Sequence, residues 1–175
     1  MKDQKTYEFT FLLEGVKEFD EELENEIFEL GFDDALLYSQ GGVVCLDVSR
    51  QATSFYEAVI SALKQMEKGK RGLKVAAVEP GDFVSASEIA RRLSVSREYV
   101  RLLISGKRGK GTFPSPISRV GVKNYIWSWS EVVRFIKLNM PENNAVHENK
   151  AQFFKELNTQ LQEEKVDYKR LKKYK

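Results

Sequence analysis

The glycine pair Gly41-Gly42 constrains the first half of this chain more than any other feature. With Gln40 it separates two largely apolar runs, Ala35 to Ser39 and Val43 to Val48. Residues free to adopt positive φ are what a tight antiparallel hairpin needs there. Around that hairpin the periodicity alternates. Tyr7 to Leu13 alternates apolar and polar side chains before becoming continuously apolar, which predicts a strand packed on one face. Phe19, Leu23, Ile27 and Leu30 then recur at helical spacing, with glutamates between them and Gly31 as the stop. Phe55, Val59, Ala62, Leu63 and Met66 predict a second helix after a Thr53 or Ser54 cap, and Leu73 to Val78 predicts a strand closed by Pro80-Gly81. The order strand, helix, strand, strand, helix, strand predicts a βαββαβ ferredoxin-like domain over 1–80 and an α+β fold class.

That fold serves many functions, so the job must be read from sites. An RNA-binding version places aromatic and basic side chains on a central strand, whereas Gly42 to Val48 here has neither. The net charge of +2 conceals a strong asymmetry. Residues 1–80 carry 9 Lys/Arg against 16 Asp/Glu, 81–140 carry 11 against 4, and 141–175 carry 8 against 6. An anionic partner is therefore expected for the middle segment, and a homodimer contact or a protein partner for the acidic first one.

Several chemistries are disfavoured. The single cysteine, Cys45, precludes an intramolecular disulfide, and with the single histidine, His147, it cannot complete a four-ligand zinc site. Glu21, Glu22, Glu24, Glu26 and Glu29 fall on a solvated helix face with no histidine nearby, and Asp33-Asp34 reads as a turn. No enzyme activity, metal or cofactor is expected. No apolar run approaches the roughly 20 residues that span a bilayer, so a cytoplasmic protein without membrane contact is expected.

Between Ser85 and Ile136 two short helical patterns meet at a tight break. Ser87 to Leu93 opens with Ser87 as its expected cap and puts Ile89 and Leu93 on one face. After Ser94-Val95-Ser96, Arg97 to Ser105 resumes with Val100, Leu103 and Ile104 as its apolar stripe. Ile89, Leu93, Val95, Val100 and Leu103 are the expected shared core, which leaves Ser96, Arg97, Glu98, Arg101 and Ser105 outward. The major groove admits one helix, and arginine meets guanine with two parallel donors, so this face suits base readout. Ser87 and Ser96 are read as phosphate contacts, and so is at least one of Arg91 and Arg92, the other reading of this pair being exposed helix salt links; Glu98 can either accept from cytosine or pair with Arg101. Gly106 to Thr112, carrying Lys107, Arg108 and Lys110, reads as a mobile loop that clamps the backbone. Ser118 to Val120 and Tyr125 to Trp127, joined by a turn that includes Lys123, predict a two-stranded wing, and Ser130 is the expected cap of a closing helix over Glu131 to Ile136.

The stretch from Val84 to Ile136 resembles the MerR-like and excisionase-like winged helix-turn-helix domains. The likeness rests on Ser87-Glu88-Ile89-Ala90-Arg91-Arg92-Leu93, Val95-Ser96-Arg97, Phe113-Pro114-Ser115-Pro116, and Tyr125-Ile126-Trp127 followed by Trp129-Ser130-Glu131-Val132. It implies double-stranded DNA binding, with the second helix at about 96–105 in the major groove and the wing on the backbone. The long coiled coil and effector-binding cysteines of MerR regulators are absent, so metal sensing is not implied. The expected organisation is 1–80 for dimerisation or partner binding, 81–140 for DNA, and 141–175 as an amphipathic helix with a basic tail, Lys169 to Lys175, that either adds DNA affinity or is solvated and mobile. The expected function is a DNA-binding transcriptional regulator. The alternative is an adaptor, antitoxin-like or recombination-factor-like, whose first domain binds a protein.

Overall fold

The computed structural model describes residues 3–16, 19–70, 72–117, 125–140 and 147–175. They form a mixed α+β structure that divides into two compact units, 1–80 with 156–175, and 81–155.

In the first unit, β1 (Lys5–Glu14), β2 (Ala35–Gln40), β3 (Val43–Ala52) and β4 (Lys74–Glu79) form one antiparallel sheet in the order β2-β3-β1-β4. The period-two pattern decides which face is buried. Phe9, Phe11 and Leu13 lie opposite Val48, Leu46 and Val44 in the register, and all six are buried. Helices α1 (Glu21–Glu29) and α2 (Phe55–Met66) supply Leu23, Ile27, Val59, Leu63 and Met66 to the same core. On the opposite face the hydroxyl of Thr10 donates to Asp47 Oδ1 (2.5 Å), and Tyr38 Oη donates to the same oxygen (3.3 Å). Cys45 is a buried free thiol, and desolvation raises its pKa.

Two details differ from the periodicity. Helix α1 begins at Glu21, because Asp20 has extended backbone angles and its carboxylate accepts from Leu23 N–H at 2.7 Å. The cap places Phe19 outside the helix, where it is exposed. The basic C-terminus is folded, which departs from its reading as a mobile tail. Helix α7 (Tyr168–Leu171) buries Leu171 completely, Arg170 and Lys173 pair with Glu156 (2.6 and 2.7 Å), and Lys175 pairs with Glu57 (2.6 Å). These cations neutralise carboxylates of their own unit.

In the second unit, β5 (Phe83–Ser85) pairs with β6 (Ile126–Ser128), and α3 (Ala86–Arg92), α4 (Arg97–Ile104) and α5 (Trp129–Asn139) surround them. Helix α6 (Glu148–Gln162) begins in this unit and ends in the first. The caps sit two residues earlier than the sequence pattern suggests. Ser85, not Ser87, accepts from Glu88 N–H, and Ser128, not Ser130, accepts from Glu131 N–H. In each case the earlier serine has the extended backbone that aims its oxygen at the helix end.

Ser130 has a different task. Its N–H donates to Asp82 Oδ1 (2.7 Å), while Ser128 Oγ donates to Asp82 Oδ2 (2.7 Å) and Trp129 N–H to the Asp82 carbonyl (2.5 Å). Buried Asp82 thus fixes the start of α5 beside β5. Substituting Asp82→Ala strands buried donors at Ser128 and Ser130, so urea unfolding should register a loss of about 2 kcal/mol or more. A loss within about 0.5 kcal/mol would contradict this role.

Candidate nucleic-acid interface

Helix α4 is too short to persist alone, so its orientation is set by what it buries. Val100 and Leu103 are fully buried in a cluster with Ile89, Ala90, Leu93, Phe113, Trp127, Val132, Phe135 and Ile136, and Val95 packs partly buried against it. The junction from α3 closes with Ser94 in the left-handed region (φ 54°) and Val95 N–H donating to Ala90 O at 2.9 Å. Ser96 then caps α4 by accepting from Tyr99 N–H (3.1 Å).

With that face fixed inward, Arg97, Glu98, Arg101, Ile104 and Ser105 are exposed. Among the described residues Arg97 makes no ion pair or hydrogen bond through its side chain. Arg101 pairs with Glu98 through Nη2–Oε1 (2.5 Å) and Nε–Oε2 (2.7 Å), which holds the Glu98 carboxyl below its usual range. Both partners are well exposed, and such a pair contributes only about 0–1 kcal/mol. The ion pair therefore holds the Arg101 guanidinium only weakly.

The other predicted contacts divide into free and committed groups. Ser87 is exposed in the first turn of α3. Arg91 is exposed but bidentate to Glu88 (2.6 and 2.9 Å). Of the Arg91–Arg92 pair, Arg92 is the one engaged within the fold. Its side chain is only 12% exposed, it donates to Glu88 Oε1 (2.8 Å) and to Gly81 O (3.0 Å), and it stacks over Trp129 at 5.1 Å. Arg92 is therefore a structural cation. Ser96 and Ser105 have oxygens engaged with their own backbone, since Ser96 caps α4 and Ser105 Oγ donates to Leu102 O (3.2 Å).

Lys107, Arg108 and Lys110 are exposed, yet the loop that carries them is packed against its neighbours. Arg108 lies 4.5 Å over the Tyr99 ring. At Gly109 (φ 82°) a Cβ would stand 3.3 Å from Leu103 Cδ2, and at Gly111 (φ 78°) one would stand 2.8 Å from Asn139 Oδ1. Glycine is needed at both positions, for backbone angle and for close approach. The presumed wing is described only at its ends. Ile117 N–H donates to Ile126 O (2.8 Å), while β6 takes β5 as its strand partner. Ser118 to Val120 and Lys123 lie outside the described residues. Asp82 has no local pattern in the sequence, and Phe113, part of the resembling stretch, is not among the expected core residues; the contacts of both lie far along the chain. Phe113 meets Phe135 at 5.1 Å and Trp127 at 6.3 Å.

No protein-family model, curated protein or solved structure matches the chain. The candidate interface therefore stands on its own geometry.

The Glu88 carboxyl is held down to about 2, first by its hydrogen bond from Arg91 and also by Arg92. Its folded pKa is below the unfolded value of about 4.3, so its stabilisation is present above that pH and is lost as pH falls toward 2. Unfolding measured across this window should show a smaller acid-dependent loss in Glu88→Gln than in the wild type. Equal losses would exclude the pairing.

Proposed function

We propose that this chain is a non-catalytic transcriptional regulator that binds double-stranded DNA sequence-specifically. In this reading 81–155 is a winged helix-turn-helix unit of the MerR-like or excisionase-like kind, α4 enters the major groove, and a ferredoxin-like unit joins two copies. The carrying observation is the polarity of α4: Val100 and Leu103 bind it to the core, while Arg97 and Arg101 are exposed and the loop that follows carries the exposed cations Lys107, Arg108 and Lys110.

The roles follow from the geometry. Arg97 and Arg101 are four residues apart and so share a helix face, where each can donate two hydrogen bonds to guanine O6 and N7. Lys107, Arg108 and Lys110 neutralise backbone phosphates and supply salt-sensitive affinity without sequence information. Arg91, whose side chain is exposed, can turn from Glu88 to a phosphate while Arg92 continues to pair with that carboxylate within the fold. Glu98 is released when Arg101 turns to a base and can then accept from a cytosine amino group.

Selection from random duplexes at about 150 mM salt separates base readout from nonspecific attraction. An enriched motif is expected with the wild-type chain and is expected to vanish with Arg97→Ala plus Arg101→Ala. Lys107→Ala plus Lys110→Ala should keep the motif, weaken binding to all duplexes alike and flatten the salt dependence by about two phosphate contacts. Absence of any enriched motif would overturn this reading and favour an adaptor whose acidic unit binds a protein.

A further inference from the structure

We propose that Ile104 reads a thymine methyl group, one or two base-pair steps beyond the base pair that Arg101 contacts. The inference rests on the DNA reading above and adds an apolar contact to it.

The sequence pattern groups Ile104 with Val100 and Leu103 in the apolar stripe of α4, but the structure separates them. Val100 and Leu103 are fully buried, whereas Ile104 is 38% exposed. The helical repeat explains the difference. At 100° per residue Ile104 stands 100° round the helix from Leu103, with Val100 between them, and only about 20° from Arg97 and 60° from Arg101. Ile104 therefore continues the row of the two exposed arginines, at positions i, i+4 and i+7.

Position and chemistry together name the occupant. Helix α4 has eight residues, about 12 Å of length, and the major groove is about 12 Å wide. A helix held there by Arg97 and Arg101 thus carries its last turn over base edges as well. Ile104 has no donor or acceptor to offer them. Against guanine, adenine or cytosine it would cover polar edge groups without pairing them, which costs free energy. The 5-methyl of thymine is the one methyl group that an unmodified base pair presents in this groove, so contact there removes apolar surface from water on both sides. Ser105 does not compete at this end of the helix, because its Oγ donates to Leu102 O (3.2 Å). The β-branched side chain is also stiff at χ1, so its methyl groups are presented in a fixed direction.

The rise of the helix sets the order of the readout. Arg97 to Arg101 spans about 6 Å along the axis, and Arg101 to Ile104 about 4.5 Å. Bases lie about 3.4 Å apart along a strand. A helix lying along the groove therefore leaves about two steps between the arginine contacts and one or two from Arg101 to the thymine. The three contacts follow chain order along the duplex.

Binding of the full chain to the duplex it enriches from a random pool, at about 150 mM salt, tests the assignment. Replacing each thymine in turn by deoxyuridine removes only the methyl. At one position, one or two steps beyond the guanine whose preference Arg101→Ala abolishes, the wild type should lose about fourfold in affinity. Ile104→Ala should bind the thymine and deoxyuridine duplexes equally, and Ile104→Thr, which keeps a methyl, should restore part of the difference. Circular dichroism and melting of both variants should match the wild type, since Ile104 lies outside the buried cluster. An enriched duplex that tolerates deoxyuridine at every thymine, or a loss that Ile104→Ala leaves in place, overturns the assignment of Ile104 alone. Absence of any enriched duplex overturns the DNA reading and this inference with it.

Discussion

Burial of Val100 and Leu103 beneath α4 is the contact on which the rest of the second unit turns. Helices of the lengths of α3 and α4 do not hold their shape unaided, so packing against Ile89, Trp127, Phe135 and Ile136 both forms them and fixes their rotation. Once that rotation is set, the outward position of Arg97 and Arg101 follows from 100° per residue. Asp82 supports the same core from the other side, because α5 cannot supply Phe135 and Ile136 unless its first turn is anchored.

The cations of this unit perform unlike tasks. Arg92, nearly buried between Glu88, Gly81 O and the Trp129 ring, belongs to the fold. Arg97 and Arg101 are exposed and held weakly or not at all, which leaves their donors available at little energetic cost. Segment charge cannot make this distinction. The same lesson applies to the C-terminus, where Arg170 and Lys173 are engaged with Glu156 and Lys175 with Glu57.

What was legible in the sequence was local periodicity. The glycine pair at Gly41-Gly42, the alternation through Phe9 to Leu13 and the helical stripe of Val100 and Leu103 each predict an element and its buried face from neighbours a few residues away. Features without a period were misread or missed. A serine within two residues of the true cap looks as good as the cap itself, so Ser87 and Ser130 stood in for Ser85 and Ser128. The pairing of β5 with β6, the reach of Asp82 to Ser128 and Ser130, and the cover that Asn158 gives β4 join residues more than forty positions apart. In the candidate interface the outward arginines of α4 were readable because their inward neighbours are periodic, whereas the inward turn of Arg92 depends on a distant tryptophan.

The central claim, that α4 presents its outward face to duplex DNA, is tested most directly by following backbone amide resonances while a duplex is titrated into the labelled chain. The account predicts that the largest shifts fall at Ser96 to Ser105 and at Lys107 to Lys110, with β2 and β3 unchanged. Shifts concentrated on the β1–β4 sheet, or none at α4, would contradict it.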